Sequence, residues 1–291
     1  MIFSIGMPVY NGEKFLVNSL ESILNQTYIK FELIIADNAS QDSTQEICER
    51  YSKQDSRIQY FRHKKNFGAM YNFKFVLEKS KGDFFMWAAS DDKWSKNWIE
   101  SLLPITIKSN CLAYGKVITI DKKNEIIKNP SSNKVFNFKG LKFFRRLHYY
   151  ISNPAFGKAN PFYGIIPRSI LIDKLDDFSL VTSKSGDMVF LYQLLELVEI
   201  KGSNIPILYK RIHSGAAGGG DIIKPLNIEL KRIHSMILKF IHSIIIERFE
   251  HHKIFSMNSR VEEKIIITLL FPILILTDSI QLLKWHAKNR F

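Results

Sequence analysis

Cysteine is scarce: Cys48 and Cys111 are the only two in 291 residues, and neither has a CxxC or Cys/His neighbour at ligand spacing. That argues against a disulfide framework and a structural zinc site, and it fits a reducing compartment. Also missing are GxGxxG between a strand and a helix, GxxxxGKS/T, HExxH and GxSxG. Their absence removes the commonest dinucleotide, nucleotide-hydrolase, zincin and serine-hydrolase readings. No stretch holds 18 uninterrupted apolar residues; the nearest approach, Ile265 to Leu276, is a run of 12 containing Pro272. As a helix it would span about 18 Å, short of a hydrocarbon core of roughly 30 Å. The opening MIFSIGMPVYNGE lacks the basic stretch and small-residue cleavage site of a secretory leader. Acidic residues are outnumbered, 28 against 41 basic, for a net charge of +13. The excess is uneven: residues 1–120 hold 15 basic and 13 acidic, residues 121–221 hold 15 and 9, and residues 222–291 hold 11 and 6. The first block is therefore not a polyanion-binding face.

What is present, 46% hydrophobic and 24% charged residues, is ample for a sizeable core. The first 120 residues alternate as βαβα. Strands are expected at Ile2 to Met7, Phe31 to Ala36, Ile58 to Phe61 and Phe84 to Ala88, with helical spacing from Phe15 to Thr27, to Tyr51 and from Tyr71 to Leu77. Asp42 or Ser43 can cap the helix through Tyr51, and Ser43 with Glu46 has the spacing of a capping box. Such alternation implies a parallel sheet covered on both faces, with ligands beyond the carboxyl ends of the strands. Further on, Asn124 to Lys139 reads as a loop or hairpin excursion, Asn160 to Pro167 as strand and turn, and Ile205 to Tyr209 as a strand. The segment after about Pro225 reads as basic and helical.

The polar residues just after the strands are the chemical candidates. Asp91 and Asp92 follow FFMWAAS directly; two adjacent carboxylates either hold a divalent cation beside a diphosphate or cap the helix near Ser95. Asp37, in ADNASQDST, can accept from a pyrimidine N–H or a ribose hydroxyl, or close an Asx turn. Asn66-Phe67-Gly68 has a glycine suited to positive φ or close backbone approach. In YKRIHSGAAGGG, His213 is a metal ligand, a phosphate donor or a structural imidazole, and Lys210 and Arg211 are positioned to neutralise a diphosphate.

Taken together, PVYNGEKFLVNSLESILNQTYIKFELIIADNASQDST and NFGAMYNFKFVLEKSKGDFFMWAASDDKWSKNWIE resemble the nucleotide-binding half of family 2 glycosyltransferases in motif order, spacing and strand context. The resemblance covers about residues 2–105 and thins to short patches beyond 120. It implies a GT-A fold: an α/β, Rossmann-like, mostly parallel sheet flanked by helices. It also implies a nucleotide-diphospho-sugar donor, a divalent metal (Mn2+ or Mg2+) and inversion at the anomeric carbon. By motif position Pro8, Tyr10 and Asp37 would hold the nucleoside, with Tyr10 stacking on the base. Asn11 and Glu13 would support that pocket, and Asn66 and Gly68 would line its other side. Asp91 would face the ribose or sugar, Asp92 would coordinate the metal, and His213 would complete the metal or diphosphate contacts. Ser90 stands where many relatives carry another aspartate. Asp187, at a helix start, is the expected general base, with Asp176 and Asp177 as substitutes; Phe162 to Arg168 resembles the acceptor-side strand.

The expected architecture is a catalytic domain over 1–222, divided into a nucleotide-sugar half (1–105) and an acceptor half (106–222), followed by an amphipathic helical region over 223–291. That last region, with five of the eight histidines, is expected to lie on a membrane surface or form an oligomer interface. The expected activity is hexosyl or N-acetylhexosaminyl transfer from a UDP-sugar to a glycan or lipid-linked acceptor, on the cytoplasmic face of the cell membrane and without nucleic acid. A dTDP-sugar presents the same imide N–H as UDP, and GDP remains open. The rivals are a sugar-nucleotide-forming nucleotidyltransferase, whose GxGTR-like loop PVYNGE does not supply, and a non-catalytic polyanion or membrane binder.

Overall fold

A computed structural model describes residues 2–172, 186–213, 248, 252 and 261–288. The substitutes Asp176 and Asp177, the glycine-rich stretch after His213, the boundary at 222/223 and the first part of the helical region expected after Pro225 lie outside the described residues.

The first strand, β1 (Phe3–Val9), is central. Beside it run β2 (Phe31–Asp37), β3 (Ile58–Arg62) and β4 (Phe84–Trp87), all parallel, in the order β3-β2-β1-β4. Helices α1 (Glu13–Leu24), α2 (Thr44–Gln54) and α3 (Ala69–Lys79) provide the crossovers. The chain builds outward from β1 to β3, then returns to lay β4 on the other side of β1. That reversal opens a crevice at the carboxyl ends of β1 and β4.

Alternate strand residues feed two cores, as the pleat requires. Leu33, Ile35 and Met86 pack with Leu16, Leu20 and Ile23 of α1 on one face, while Ile34, Ala36, Phe85 and Trp87 pack with Val76 and Leu77 of α3 on the other.

A short β5 (Lys93–Trp94) and α4 (Trp98–Ser109) lead into β6 (Leu112–Ile120), a long strand that the sequence reading does not include. After α5 (Lys142–Ile151), β7 (Ile166–Pro167) adds antiparallel to β4, so the strand-and-turn expectation for residues 160–167 holds. Short α6 (Arg168–Ile172) follows, then α7 (Gly186–Leu194) and β8 (Ile200–Arg211). β8 begins earlier than expected and joins β5 and β6 in a second sheet, order β5-β8-β6.

The last helix, α8 (Val261–Lys288), runs 28 residues through Pro272. Counting only uninterrupted apolar residues therefore understates it. Its Glu263–Trp285 stretch, whose most apolar 18 residues have a mean hydropathy of 2.1, is long and apolar enough to cross a membrane by length and composition.

Candidate active site

Two turns, after β1 and after β2, are laced together by side chain to backbone bonds. Asn11 sits at φ 50°, a left-handed conformation that asparagine tolerates. Its Oδ1 accepts from Gln41 N at 2.9 Å, and its own N–H donates to Ser40 Oγ at 2.9 Å. Gly12 N donates to Thr44 Oγ1, and Glu13 N to Asp42 Oδ2. Ser43 N donates to Glu13 Oε2 at 2.9 Å, and Thr44 N to Asp42 Oδ1. The capping box expected at Ser43 and Glu46 is therefore not formed: Ser43 makes no side-chain cap bond, and Glu13 and Asp42 take the free N–H groups instead. Pro8, half-buried, lies within β1 one residue before its end at Val9, and Tyr10, 48% exposed, projects at the mouth of the crevice.

Asp37 is wholly buried at the end of β2. Its Oδ1 accepts from Ser40 N at 2.8 Å, its Oδ2 accepts from the Tyr60 hydroxyl at 2.9 Å, and Arg62 Nε lies 3.4 Å away. In this arrangement the carboxylate anchors the turn and holds Tyr60 and Arg62. A third loop closes against the second: Asn38 Nδ2 donates to Asn66 Oδ1 at 2.8 Å, Phe67 N donates to Asn38 Oδ1, and Gly68 N caps back on Asn66 Oδ1. Gly68 takes φ +89°, the conformation its identity favours. Beneath it Asn72 donates to Ala36 O at 2.7 Å and bonds His63 through its Oδ1 at 3.0 Å.

The acidic end of the crevice lies after β4. Asp92 is buried, and its Oδ1 accepts from Arg211 N at 2.7 Å; the helix-cap alternative does not apply, because β5 intervenes before α4. Burial, then the charge of Asp91, pushes the Asp92 carboxyl up to about 7. Asp91 Oδ2 stands 3.0 Å from His213 Nε2, so the structure brings the histidine to Asp91 rather than to Asp92. The His213 ring also packs on Phe15, centroids 4.8 Å apart.

Arg211, expected from the sequence to neutralise a diphosphate, is instead a structural hub. Its Nε donates to Asp91 O, and its two terminal nitrogens donate to Asp121 O and Asn124 Oδ1, each within 2.8 Å. The guanidinium lies 4.5 Å over the Phe15 ring, and the residue is 2% exposed. Arg211 is therefore committed inward and does not face a diphosphate. Successive strand residues point to opposite faces: the charges of both Lys210 and Arg211 act on Asp92, and that of Lys210 also on Asp187.

Asp187, second residue of α7, joins the same crevice. Burial pushes its carboxyl above the ordinary range, against the opposing charge of Lys210 and a hydrogen bond from Met188 N at 2.8 Å. Tyr163, in the segment read as acceptor-side, stands within electrostatic reach of all three aspartates: burial first, then the charges of Asp92, Asp91 and Asp187, raise its hydroxyl well above the usual value. Its neighbour Phe162 stacks on Trp87 at 4.8 Å.

The donor set suits a divalent ion in part. Asp91 Oδ2 and His213 Nε2 stand 3.0 Å apart, a carboxylate and an imidazole of the kind that ligate divalent ions. The adjoining Asp92 carries a buried charge without full compensation. Among the described residues no three His, Cys, Asp or Glu side chains stand as a complete cage. An ion here needs further oxygen ligands, as a diphosphate provides.

The fold recurs in known proteins. The fold matches Staphylococcus aureus TarS residues 1–349 in complex with UDP-GlcNAc, at a TM-score of 0.58 and 17% identity, over 94% of this chain and 82% of that one. It also matches GalNAc-T7 with UDP, GalNAc and Mn2+, at TM-score 0.58 and 13% identity, over 77% of this chain and 45% of that one. These likenesses define the GT-A fold. The model of Glycosyl transferase family 2 matches residues 4–163, and the chain belongs to that family. Streptococcus pneumoniae glycosyltransferase GlyG is 35% identical over 101 residues, 35% of this chain and 34% of GlyG. Bacillus subtilis TuaG, named for teichuronic acid biosynthesis, is 32% identical over 110 residues, 38% of this chain and 44% of TuaG. Escherichia coli WfgD, named as a UDP-Glc:alpha-D-GlcNAc-diphosphoundecaprenol beta-1,3-glucosyltransferase, is 32% identical over 142 residues, 48% of this chain and 55% of WfgD. The chain thus spans about half or less of the length of these curated relatives.

Proposed function

We propose that the protein transfers a hexosyl or N-acetylhexosaminyl group from a nucleoside diphosphate, UDP first, to a glycan or lipid-linked acceptor, with inversion at the anomeric carbon. The observation that carries this reading is the gathering of Asp91, Asp92 and Asp187 about Tyr163 at the reversal of the sheet. The UDP in the TarS and GalNAc-T7 structures and the diphosphate-lipid acceptor in the name of WfgD support it. A lipid-linked acceptor would set the reaction at the cytoplasmic face of a membrane.

In this reading Tyr10 stacks on the base and Pro8 shapes the edge of its pocket. Asp37 underpins that pocket by holding Tyr60 and Arg62, while Asn11 and Glu13 keep the two turns joined. Asn66 and Gly68 form the opposite wall. Asp91, Asp92 and His213 would hold Mn2+ or Mg2+, which when bound offsets the negative charge of the diphosphate. Asp187 takes the proton of the acceptor hydroxyl as its oxygen attacks the anomeric carbon; the carbon–oxygen bond to the diphosphate breaks and the electron pair leaves with it. A carboxylate held above its ordinary range by burial is the stronger base.

The test is a screen of nucleotide sugars for manganese-dependent hydrolysis or transfer, with titration of UDP binding. Asp187→Asn should bind UDP as wild type does and lose about 10²- to 10⁴-fold in turnover. Asp92→Asn and chelator should each abolish metal dependence. Equal turnover in wild type and Asp187→Asn removes the base, and UDP binding without turnover in wild type removes catalysis.

A further inference from the structure

Helix α8 has two faces of opposite character. On one, Glu263, Ile267, Leu274, Asp278 and Leu282 are buried. Glu263 pairs with Arg146 at 3.3 Å, Asp278 pairs with the buried Arg248, Tyr150 donates to Ile267 O at 3.4 Å and Asn153 donates to Asp278 O at 3.4 Å. The helix is thus fastened along its length to α5 and the turn that follows it. At about 100° per residue, Ile265, Leu269, Ile273, Leu276, Ile280 and Leu283 fall on the opposite side, and each is 40 to 70% exposed. Between Lys264 and Lys284 the only charged residue is Asp278, which is turned inward.

We infer that this outer face seats α8 in the plane of an anionic membrane surface, with the helix axis along the bilayer. Crossing the bilayer would strip Glu263 and Asp278 from their cationic partners and leave Arg146 and Arg248 buried without full compensation. Lying flat keeps both pairs and immerses the apolar stripe alone. Charge selects the occupant. Lys264, Lys284 and Lys288 flank the stripe, while Glu263 and Asp278 are turned inward to Arg146 and Arg248. Anionic headgroups complement that balance, whereas a second copy on the same face would set lysine against lysine. Such seating serves the lipid-linked acceptor and rests on that reading for its purpose, although the binding can be measured without it.

The test floats the full chain with vesicles of phosphatidylcholine plus phosphatidylglycerol, and with phosphatidylcholine alone. Binding is expected to the mixed vesicles, weaker to the neutral ones, and released by alkaline carbonate. Leu269→Gln/Ile273→Gln/Leu276→Gln should weaken it at least about tenfold, and Lys264→Glu/Lys284→Glu roughly tenfold, with melting temperature and nucleotide-sugar hydrolysis in solution unchanged. Failure of wild type to bind, or equal binding by the triple variant, overturns the surface. Retention after carbonate overturns the in-plane orientation, and a dimer that the triple variant converts to monomer assigns the face to a second copy. Hydrolysis read in the same samples separates these failures from failure of the catalytic reading.

Discussion

Tyr10 and Asp187 separate binding from chemistry. Tyr10 is half exposed and makes no structural bond that the turn requires, so Tyr10→Ala should weaken UDP binding by stacking alone, about 1–3 kcal/mol, or roughly 5- to 150-fold in Kd by titration calorimetry. Asp187 carries a pH signature. Because burial raises its folded pKa, the folded chain retains a proton at pH values where the unfolded chain has released it. Stability present at low pH is therefore lost as pH rises through the folded value. Asp187→Asn should flatten that loss and melt above wild type at neutral pH. In the wild type, the acid limb of turnover should lie above the ordinary carboxylate range, since the base acts only when deprotonated. A melting temperature for Asp187→Asn at or below that of wild type would contradict the burial argument.

Among the elements, the joint between β6 and β8 is the tightest. The register slips between Tyr114 and Lys116, and a Cβ on Gly115 would lie 2.4 Å from the Pro206 carbonyl oxygen and 2.5 Å from the Trp98 ring. Gly115→Ala should cost about 1–3 kcal/mol in urea unfolding, loosen β8, and with it the placement of Lys210 and Arg211. The strands of the first sheet were legible because each is a short apolar run closed by a turn residue, as in FELIIA before Asp37. Strand β6 was not, since LAYGKVITI carries Gly115 and Lys116 where a pattern reader sees a break. Arg211 was legible only as a basic residue near His213. Its inward turn follows from strand alternation once β8 is known to run Ile200–Arg211, and no local pattern announces the length of that strand.

For the whole molecule, α8 belongs to the fold through a few polar contacts. Asp278→Ala leaves Arg248 buried without its carboxylate and should cost about 3–5 kcal/mol, read as a lowered urea midpoint, whereas Lys284→Glu on the outer face should leave the midpoint unchanged. The residues of the crevice could be named from their order along the chain, because strand, turn and helix are local structures whose signals lie within a few neighbours. Which of those residues meet was settled by distance in space: His213 meets Asp91 across 122 positions, Arg211 reaches Asp121 and Asn124, and Tyr163 comes within electrostatic reach of three aspartates drawn from two distant segments. The two faces of α8 followed the same rule. Its length and apolar content were written in one stretch of chain, but which side stays dry depends on Arg146 and Arg248, and only packing brings them there.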